Sequence, residues 1–470
     1  MRTQGGNPTL SLLSRPRLAH YLEVVFRFEK VAQPSTHDLV VVQQVDPHGL
    51  GCLGHALSST HSPARGTIEA MARVLVVNRG SSSLKYQVLQ REPDDDGRPV
   101  RLAIGLVERI GSSSSRLTYQ VEGEPEQVDE RPVRDSAAAV GAMLDSLAAS
   151  GLLASLDAVG HRVVHGGARF TGPTLVDDEV EQELAGLSEL APLHNPSSLE
   201  GLRALRAAVP DIPHVAVFDT AFHVTLPPHA SSYAIPQELA GRYGVRRWGF
   251  HGTSVRYVVQ ASAALLDLPL EQVNLVVCHI GNGASVTAVE AGRSVDTSMG
   301  MTPLEGLVMG SRSGDIDPAV VPHLTRTAGL SVAEVEHLLN FDSGLSGLCG
   351  DADIREVRRR AAGGDSAAQL ALDVYTYRLR KYIGAYLAVV PDLHAVVFTG
   401  GVGEHDQQLR AEVIDPLGHL GLRLDGVANS AAVGPASPVR IDGGERTAVL
   451  VVPTNEEAEI ASQVLAVIDH

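Results

Sequence analysis

Residues 74–89 read Val74-Leu75-Val76-Val77-Asn78-Arg79-Gly80-Ser81-Ser82-Ser83-Leu84-Lys85-Tyr86-Gln87-Val88-Leu89. Four consecutive apolar residues make a buried strand, a short polar turn follows, and a second apolar run returns as another strand. The product is a β-hairpin whose turn offers consecutive backbone N–H groups and three hydroxyls, an arrangement able to cradle phosphate oxygens. Lys85 stands just behind it. A solvated hairpin turn is the plain alternative, and the turn is not a Walker A loop because GxxxxGK[ST] is absent.

The same pattern returns downstream. Asn274-Leu275-Val276-Val277-Cys278-His279-Ile280 runs into Gly281-Asn282-Gly283-Ala284-Ser285, so Gly80-Ser81-Ser82 and Gly283-Ala284-Ser285 each follow an apolar strand and an Asn, 203 residues apart. That is half of the 400 residues from Met71 to the end: either a chance recurrence of two common residue types, or the mark of two similar lobes, each with a phosphate-facing hairpin. Other strands end in glycines or an acid: Ala158-Val159-Gly160-His161-Arg162-Val163-Val164-His165-Gly166-Gly167, Val215-Ala216-Val217-Phe218-Asp219-Thr220, and Ala395-Val396-Val397-Phe398-Thr399 before Gly400-Gly401-Val402-Gly403-Glu404. Helical stretches at 136–153 and 370–390 lie between. Strands alternating with helices, with glycines at strand ends, predict an α/β fold that binds ligands where strands finish.

The first 70 residues differ. Apart from one candidate strand, Asp38-Leu39-Val40-Val41-Val42, they lack period, and we read residues 1–70 as an extension or as sequence upstream of a start at Met71. Of the net charge of -17, the remaining 400 residues carry 32 basic against 50 acidic side chains. That balance argues against nucleic acid, whose phosphates need a basic face, and points to small-molecule partners. Only Lys30, Lys85 and Lys381 are lysines, which singles out Lys85 beside the turn. Cys52, Cys278 and Cys349 form no CxxC pair, so neither a disulfide framework nor a thiolate zinc site is supported, and a reducing cytoplasm fits. No apolar run is long enough to span a membrane.

Individual residues suggest chemistry. Arg162, within an apolar strand, needs a carboxylate or a ligand anion, and Arg312 in Gly310-Ser311-Arg312-Ser313-Gly314-Asp315 poses the same question. Asp219 at a strand end faces the ligand crevice or caps a helix. His251, in Trp248-Gly249-Phe250-His251-Gly252, sits at a glycine turn. Glu456-Glu457 opens a helix, either to compensate its dipole or to hold magnesium.

These signals coincide in the acetate kinase, or acetokinase, family. Asn78 to Lys85, and Gly300-Met301-Thr302-Pro303-Leu304-Glu305-Gly306-Leu307-Val308-Met309-Gly310-Ser311-Arg312-Ser313-Gly314-Asp315-Ile316-Asp317-Pro318, closely resemble its two signature motifs. Phe218-Asp219-Thr220-Ala221-Phe222-His223, Arg247-Trp248-Gly249-Phe250-His251-Gly252-Thr253-Ser254 and Thr454-Asn455-Glu456-Glu457 match in the family's order. The resemblance covers Met71 to His470.

It implies two similar lobes of the ribonuclease H-like, actin-like ATPase type with a nucleotide cleft between them: residues 71–220 with 457–470, and residues 221–456 as the nucleotide-binding lobe. It implies a cytoplasmic homodimer moving phosphoryl reversibly between ATP and acetate, or another short-chain acid, with magnesium or manganese. The match assigns Asn78 and Glu456 to the metal, and Ser81, Ser83 and Lys85 to the phosphate path. Arg162 would hold the acyl carboxylate, with Val164, Leu193, Phe250 and Pro303 around its methyl group. Asp219 would be the catalytic acid, with His251 and Arg312 stabilising the transferring group. Nucleotide contacts would come from His279, Ile280, Gly281, Asn282 and Gly283, from Asp353, Ile354 and Arg355, and from Gly401, Val402, Gly403, Glu404 and His405.

Acetate is already ionised at neutral pH, so no general base is needed, and Asp219 more plausibly orients an arginine or the metal. Two positions depart from the family: His405 replaces an Asn in the adenosine pocket, and Arg79 replaces a small residue and is expected to point into solvent. Competing readings are a propionate or butyrate kinase, an actin- or Hsp70-like ATPase, and a pseudo-kinase regulator.

Overall fold

In the computed structural model of the protein, residues 71–80, 82–91 and 99–469 are described here. The extension 1–70 with its strand at Asp38–Val42, and Ser81, lie outside them.

Two sheets organise the chain. The first comprises β1 (Arg73–Arg79), β2 (Ser83–Gln90), β3 (Val100–Glu108), β4 (Ser115–Val121), β5 (Gln127–Arg131), β6 (Ala158–Val163), β7 (Thr174–Leu175) and β8 (His214–Phe218), in the order β5-β4-β3-β2-β1-β6-β8-β7. The second comprises β9 (Leu275–Ile280), β10 (Ala284–Glu290), β11 (Arg293–Thr297), β12 (Ala395–Thr399), β13 (Val439–Arg440) and β14 (Ala448–Val451), ordered β11-β10-β9-β12-β14-β13. In each, an antiparallel meander of three strands is followed by two strands parallel to the first of them: β3-β2-β1-β6-β8 matches β11-β10-β9-β12-β14. The half-chain repeat is thus a repeat of topology.

The parallel crossovers carry helices, as such connections require. Ser136–Ala149 leads into β6, Asn195–Ala208 into β8, and Ser366–Val389 into β12. The last begins earlier than the apolar period suggests because the Asp365 carboxylate caps it, accepting from the N–H groups of Ala367 and Ala368. The first stops at Ala149, before the left-handed Gly151.

Two further helices join the sheets. Gly252–Leu265 buries Val255, Val258 and Val259 against Leu275, Val277 and Val397 of the second sheet. Glu456–Ile468 buries Ile460, Ala461 and Val464 against Val74, Val76, Ala158 and Val215 of the first. Each fully buried aliphatic side chain contributes about 1.5–3 kcal/mol of transfer free energy. Arg256 and Glu459 link the two helices at 2.8 Å. Glycine permits the close approach: a Cβ on Gly160 of β6 would stand 2.8 Å from Val464 Cγ2.

Arg79 overturns its expectation. It is 7% exposed, and it donates from Nε to Ser136 Oγ at 3.1 Å, from Nη1 to Ser83 O at 3.1 Å, and to Gly80 O. Its side chain packs over Gly201, where a Cβ would come within 3.0 Å of its Cγ. The reason is local, since the turn presents the Gly80 and Ser83 carbonyls to one side chain, Ser83 O also accepting the Gly80 N–H at 2.9 Å, and a forked cation can collect both. Arg79 therefore braces the first hairpin from within.

Candidate active site

The ends of β6 and β8 deliver Arg162 and Asp219 to one point. Arg162 Nε donates to Asp219 Oδ1 at 2.9 Å and Nη2 to Oδ2 at 2.6 Å, a two-pronged pair. Glu456 at the start of the C-terminal helix lies 3.6 Å from Arg162 Nε, and Thr253 Oγ1 donates to Glu456 Oε2 at 3.3 Å and lies 3.5 Å from Asp219 Oδ1. A Cβ on Gly252 would stand 2.1 Å from Asp219 O, so glycine is required for this helix to reach the strand end.

Electrostatics sets the protonation states. Burial opposes the charge of Arg162, but Asp219 and Glu456 outweigh it and hold the guanidinium more firmly protonated. Burial raises the Asp219 carboxyl, partly offset by Arg162. For Glu456 burial is outweighed by Arg162, His279 and Lys85, so its carboxyl is held below the usual range and is ionised at neutral pH.

His251 precedes the helix Gly252–Leu265 with φ +58°, a left-handed conformation that a non-glycine residue adopts only under constraint. Its Nδ1 lies 2.9 Å from Ser285 Oγ, and its ring stacks on His279 at 4.3 Å between centroids. Burial first, then His279, Arg162 and Arg312, hold its pKa well below the ordinary value, so the ring is neutral at pH 7. Arg312 donates to Pro303 O at 2.9 Å and approaches Met309 Sδ at 3.7 Å. Among the described residues it has no carboxylate within ion-pair distance, and burial lowers its pKa. A half-buried guanidinium with no carboxylate in ion-pair reach is a site prepared for an anion. A Cβ on Gly283, at the tip of the second hairpin, would lie 3.3 Å from His251 Nε2 and 3.6 Å from Arg312 Nη1.

Sequence reasoning missed His194. Burial first, then Arg312 and Arg162, lower its pKa to about 4, so it is a neutral ring within electrostatic reach of both arginines. Pro196 in the first turn of Asn195–Ala208 marks where that helix begins and could have drawn notice to the histidine before it. Thr253, which bridges the two carboxylates, was missed as well.

The first hairpin places Asn78 directly opposite Lys85, so the two share a face, and Lys85 Nζ pairs with Glu457 Oε1 at 2.5 Å. Ser83 stands at the turn, its Oγ 3.2 Å from where a Cβ of Gly80 would be. On the second hairpin His279 and Ile280 are buried, Gly281 N–H donates to Gly283 O, and Gly310 N–H donates to Asn282 O at 3.2 Å. Asp353 accepts from Arg355 N–H at 2.9 Å and caps the helix Ile354–Ala362, while Ile354 packs into the core. That helix is joined to the segment after Gly401–His405 by Arg358, 2.6 Å from Asp406. Glu404 is turned inward, and His405 Nδ1 lies 3.0 Å from Gly401 O. Of the expected apolar lining, Val164 packs on the cluster that contains Phe250, Pro303 supplies its carbonyl to Arg312, and Leu193 is 42% exposed.

Two guanidiniums, Arg162 and Arg312, stand in this region with two carboxyl groups, Asp219 and Glu456, and burial lowers the pKa values of His194, His251 and His279. A polyphosphate would therefore need further positive charge. Among the described residues no group of three or more His, Cys, Asp or Glu side chains is arranged to hold a metal. Magnesium needs no such cage, because it keeps several waters and takes one or two carboxylates together with substrate phosphates. An ionised Glu456 beside Asp219, with Thr253 and Asn78 as neutral oxygen-bearing groups, fits that requirement.

Comparison with known proteins places this arrangement. Residues 73–462 match the model of the acetokinase family. An acetate kinase of Leifsonia xyli subsp. xyli is 53% identical over 398 residues, covering 84% of this chain and 98% of that protein. An acetate kinase of Halothermothrix orenii is 45% identical over 404 residues, covering 84% of this chain and all of that protein. The crystal structure of Porphyromonas gingivalis acetate kinase is 39% identical with a TM-score of 0.78, covering 84% of this chain and 100% of its own. A propionate kinase from Francisella tularensis has the same identity and TM-score, covering 84% of this chain and 99% of its own. The chain with this paired-arginine site belongs to the acetokinase family.

Proposed function

We propose that the chain is an acetate kinase that transfers the γ-phosphoryl group of ATP directly, in line, to a carboxylate oxygen of acetate, giving acetyl phosphate and ADP, and that it also runs the reverse reaction. The observation that carries this reading is Arg312, half-buried and without a carboxylate partner among the described residues, with neutral His251 and His194 in electrostatic reach of both it and Arg162. In the forward step a bond forms between an acetate oxygen and the γ-phosphorus while the bond to the β,γ-bridging oxygen breaks, and ADP leaves. The nucleophile arrives ionised, so no base is required. The transition state is loose, and catalysis consists of positioning and of positive charge around three equatorial oxygens.

Arg162, held in place by Asp219, takes the acyl carboxylate, which makes Asp219 an orienting group. Arg312 takes the transferring phosphoryl. With Ser285 donating to Nδ1, His251 keeps its proton on Nε2 and donates it toward the same oxygens. Ser81, Ser83 and Lys85 line the phosphate path, and His279–Gly283, Asp353–Arg355 and Gly401–His405 seat the nucleotide. Asn78 and Glu456 would hold magnesium, which would supply positive charge to offset that of the phosphates. The lobes act as residues 71–220 with 457–470 and as residues 221–456, and the functional form is a cytoplasmic homodimer. Among the described residues no helix is long and apolar enough to cross a membrane, which is consistent with that location.

A propionate kinase is the second reading, favoured by Leu193, whose 42% exposure leaves one side of the acyl pocket open. One methylene discriminates by only about 1–3 kcal/mol in an apolar pocket. Trapping acyl phosphates with hydroxylamine after incubation with ATP, magnesium and acetate, propionate or butyrate separates the two. The proposal expects the highest kcat/KM with acetate; acyl phosphate from no acid would sink the kinase reading.

A further inference from the structure

The carboxylate of Glu404 does not point out toward a ligand from the helix Gly400–His405. Its Oε1 accepts the N–H of Gly400 at 2.8 Å and the N–H of Thr454 at 3.0 Å, and the Thr399 hydroxyl lies 3.4 Å away. One oxygen thus ties the segment leaving β12 to the segment leaving β14. The first of these also backs onto β9: Gly400 has φ +78°, and a Cβ there would stand 2.8 Å from Ile280 O.

Thr454 is held a second time. Its hydroxyl is 2.8 Å from Ser254 Oγ, and Ser254 Oγ is 2.7 Å from His279 Nδ1, whose ring stacks on His251. The next residue, Asn455, caps the C-terminal helix by accepting from Ala458 N–H at 3.0 Å, and Glu456 follows. Between β14 and that helix the chain is therefore fixed at Thr454 N, Thr454 Oγ1 and Asn455 Oδ1 in succession. The position of the Glu456 carboxylate follows from those anchors.

We infer that Glu404 is a positioning residue: through Thr454 it holds Glu456 and the His279–His251 stack in fixed relation to the Gly401–His405 segment, aligning the nucleotide seat with the phosphoryl-transfer groups. The inference rests on the phosphotransferase reading above. The tether needs an acceptor oxygen at this reach but not a negative charge, so Glu404→Gln can preserve it through its amide carbonyl, whereas Glu404→Ala cannot.

The test measures kcat and the separate KM values for ATP and acetate by acyl hydroxamate formation, ADP affinity by calorimetry, and hydrogen exchange of the peptide containing Thr454. Glu404→Ala is expected to lower kcat at saturating substrates by about 10–100-fold, because small misplacements of reacting groups are amplified in rate. The KM for acetate should stay within about twofold of wild type, Glu404→Gln should recover kcat to within about threefold, and the Thr454 amide should exchange faster only in the Ala variant. Loss of ADP affinity with kcat unchanged would make Glu404 an ordinary nucleotide contact. Equal damage from Gln and Ala would mean that charge matters rather than the tether. Unaltered Thr454 exchange in Glu404→Ala would overturn the inference outright. Should the Ala variant fail to fold, Thr454→Val, which breaks only the link to Ser254, decides: a kcat loss of about three- to tenfold supports the inference and no loss overturns it. Wild-type protein that makes no acyl phosphate would sink the kinase reading, while the exchange comparison, which needs no turnover, still judges the tether.

Discussion

The two hairpins share a topology and divide the labour. The first, β1 with β2, carries its chemistry on side chains: Arg79 braces the turn from inside, and Asn78 faces Lys85 across the strands. The second, β9 with β10, carries a Gly281-Asn282-Gly283 turn, and the missing Cβ of Gly283 makes room for His251 and Arg312 brought from elsewhere. One copy of the motif became a support for charged groups and the other a notch that receives them.

Removing the cation received at the second hairpin should have the largest effect. Arg312→Met is expected to lower kcat/KM by about 10²–10³-fold in the hydroxamate assay, the loss typical of one preorganised donor. Because that charge has no carboxylate partner among the described residues, the melting temperature should hold or rise. Asp219→Asn comes next. It strips Arg162 of its two-pronged anchor and should lower turnover by about 10²-fold through misplacement, whereas wild-type turnover with normal magnesium dependence would rule out a catalytic role for Asp219.

A matched pair of substitutions sharpens the contrast directly. Gly283→Ala, with its Cβ 3.3 Å from His251 Nε2, should reduce kcat about tenfold. Gly80→Ala presses only on the Ser83 hydroxyl, which can rotate away, and should change kcat less than about threefold. Equal losses would refute the division of labour. At the first hairpin, Arg79→Met abolishes three hydrogen bonds and should lower stability by about 1–3 kcal/mol in urea unfolding.

The last effect is on pH. Burial holds His165, His194 and His223 at about 4, below their ordinary 6.5. The unfolded chain then binds more protons than the folded one between those values. Stability is fully present above pH 6.5 and declines as pH falls toward 4. Urea midpoints that were flat across this window would contradict the buried, neutral histidines.

The fold was legible where apolar runs were continuous. Val74–Val77, Leu275–Ile280 and Ala395–Phe398 are buried on both faces, so they read plainly as strands, and their glycines marked the ligand end. The meander was not legible in the same way, because β5 is exposed throughout and offers no hydrophobic period. Among site residues, Arg162, Asp219, His251 and Arg312 stood out as charged or polar groups in apolar or glycine-rich settings, and the structure brings Asp219 and Glu456 each within hydrogen-bond or ion-pair reach of Arg162. His194 carried no such contrast, being one polar residue among several before a helix. Arg79 was misjudged, and the inward hold of Glu404 went unread, for a common reason: each turns its charge inward to collect backbone groups, and which carbonyls or N–H groups lie nearby is set only by the folded chain.

The most direct test of the account is formation of acetyl hydroxamate from ATP, magnesium, acetate and hydroxylamine, run side by side with wild-type protein and Arg312→Met. The account predicts abundant product from the wild type and a loss of at least about 10²-fold in the variant, with its fold intact by circular dichroism. Undiminished product from Arg312→Met, or none from the wild type with any short-chain acid, would contradict it.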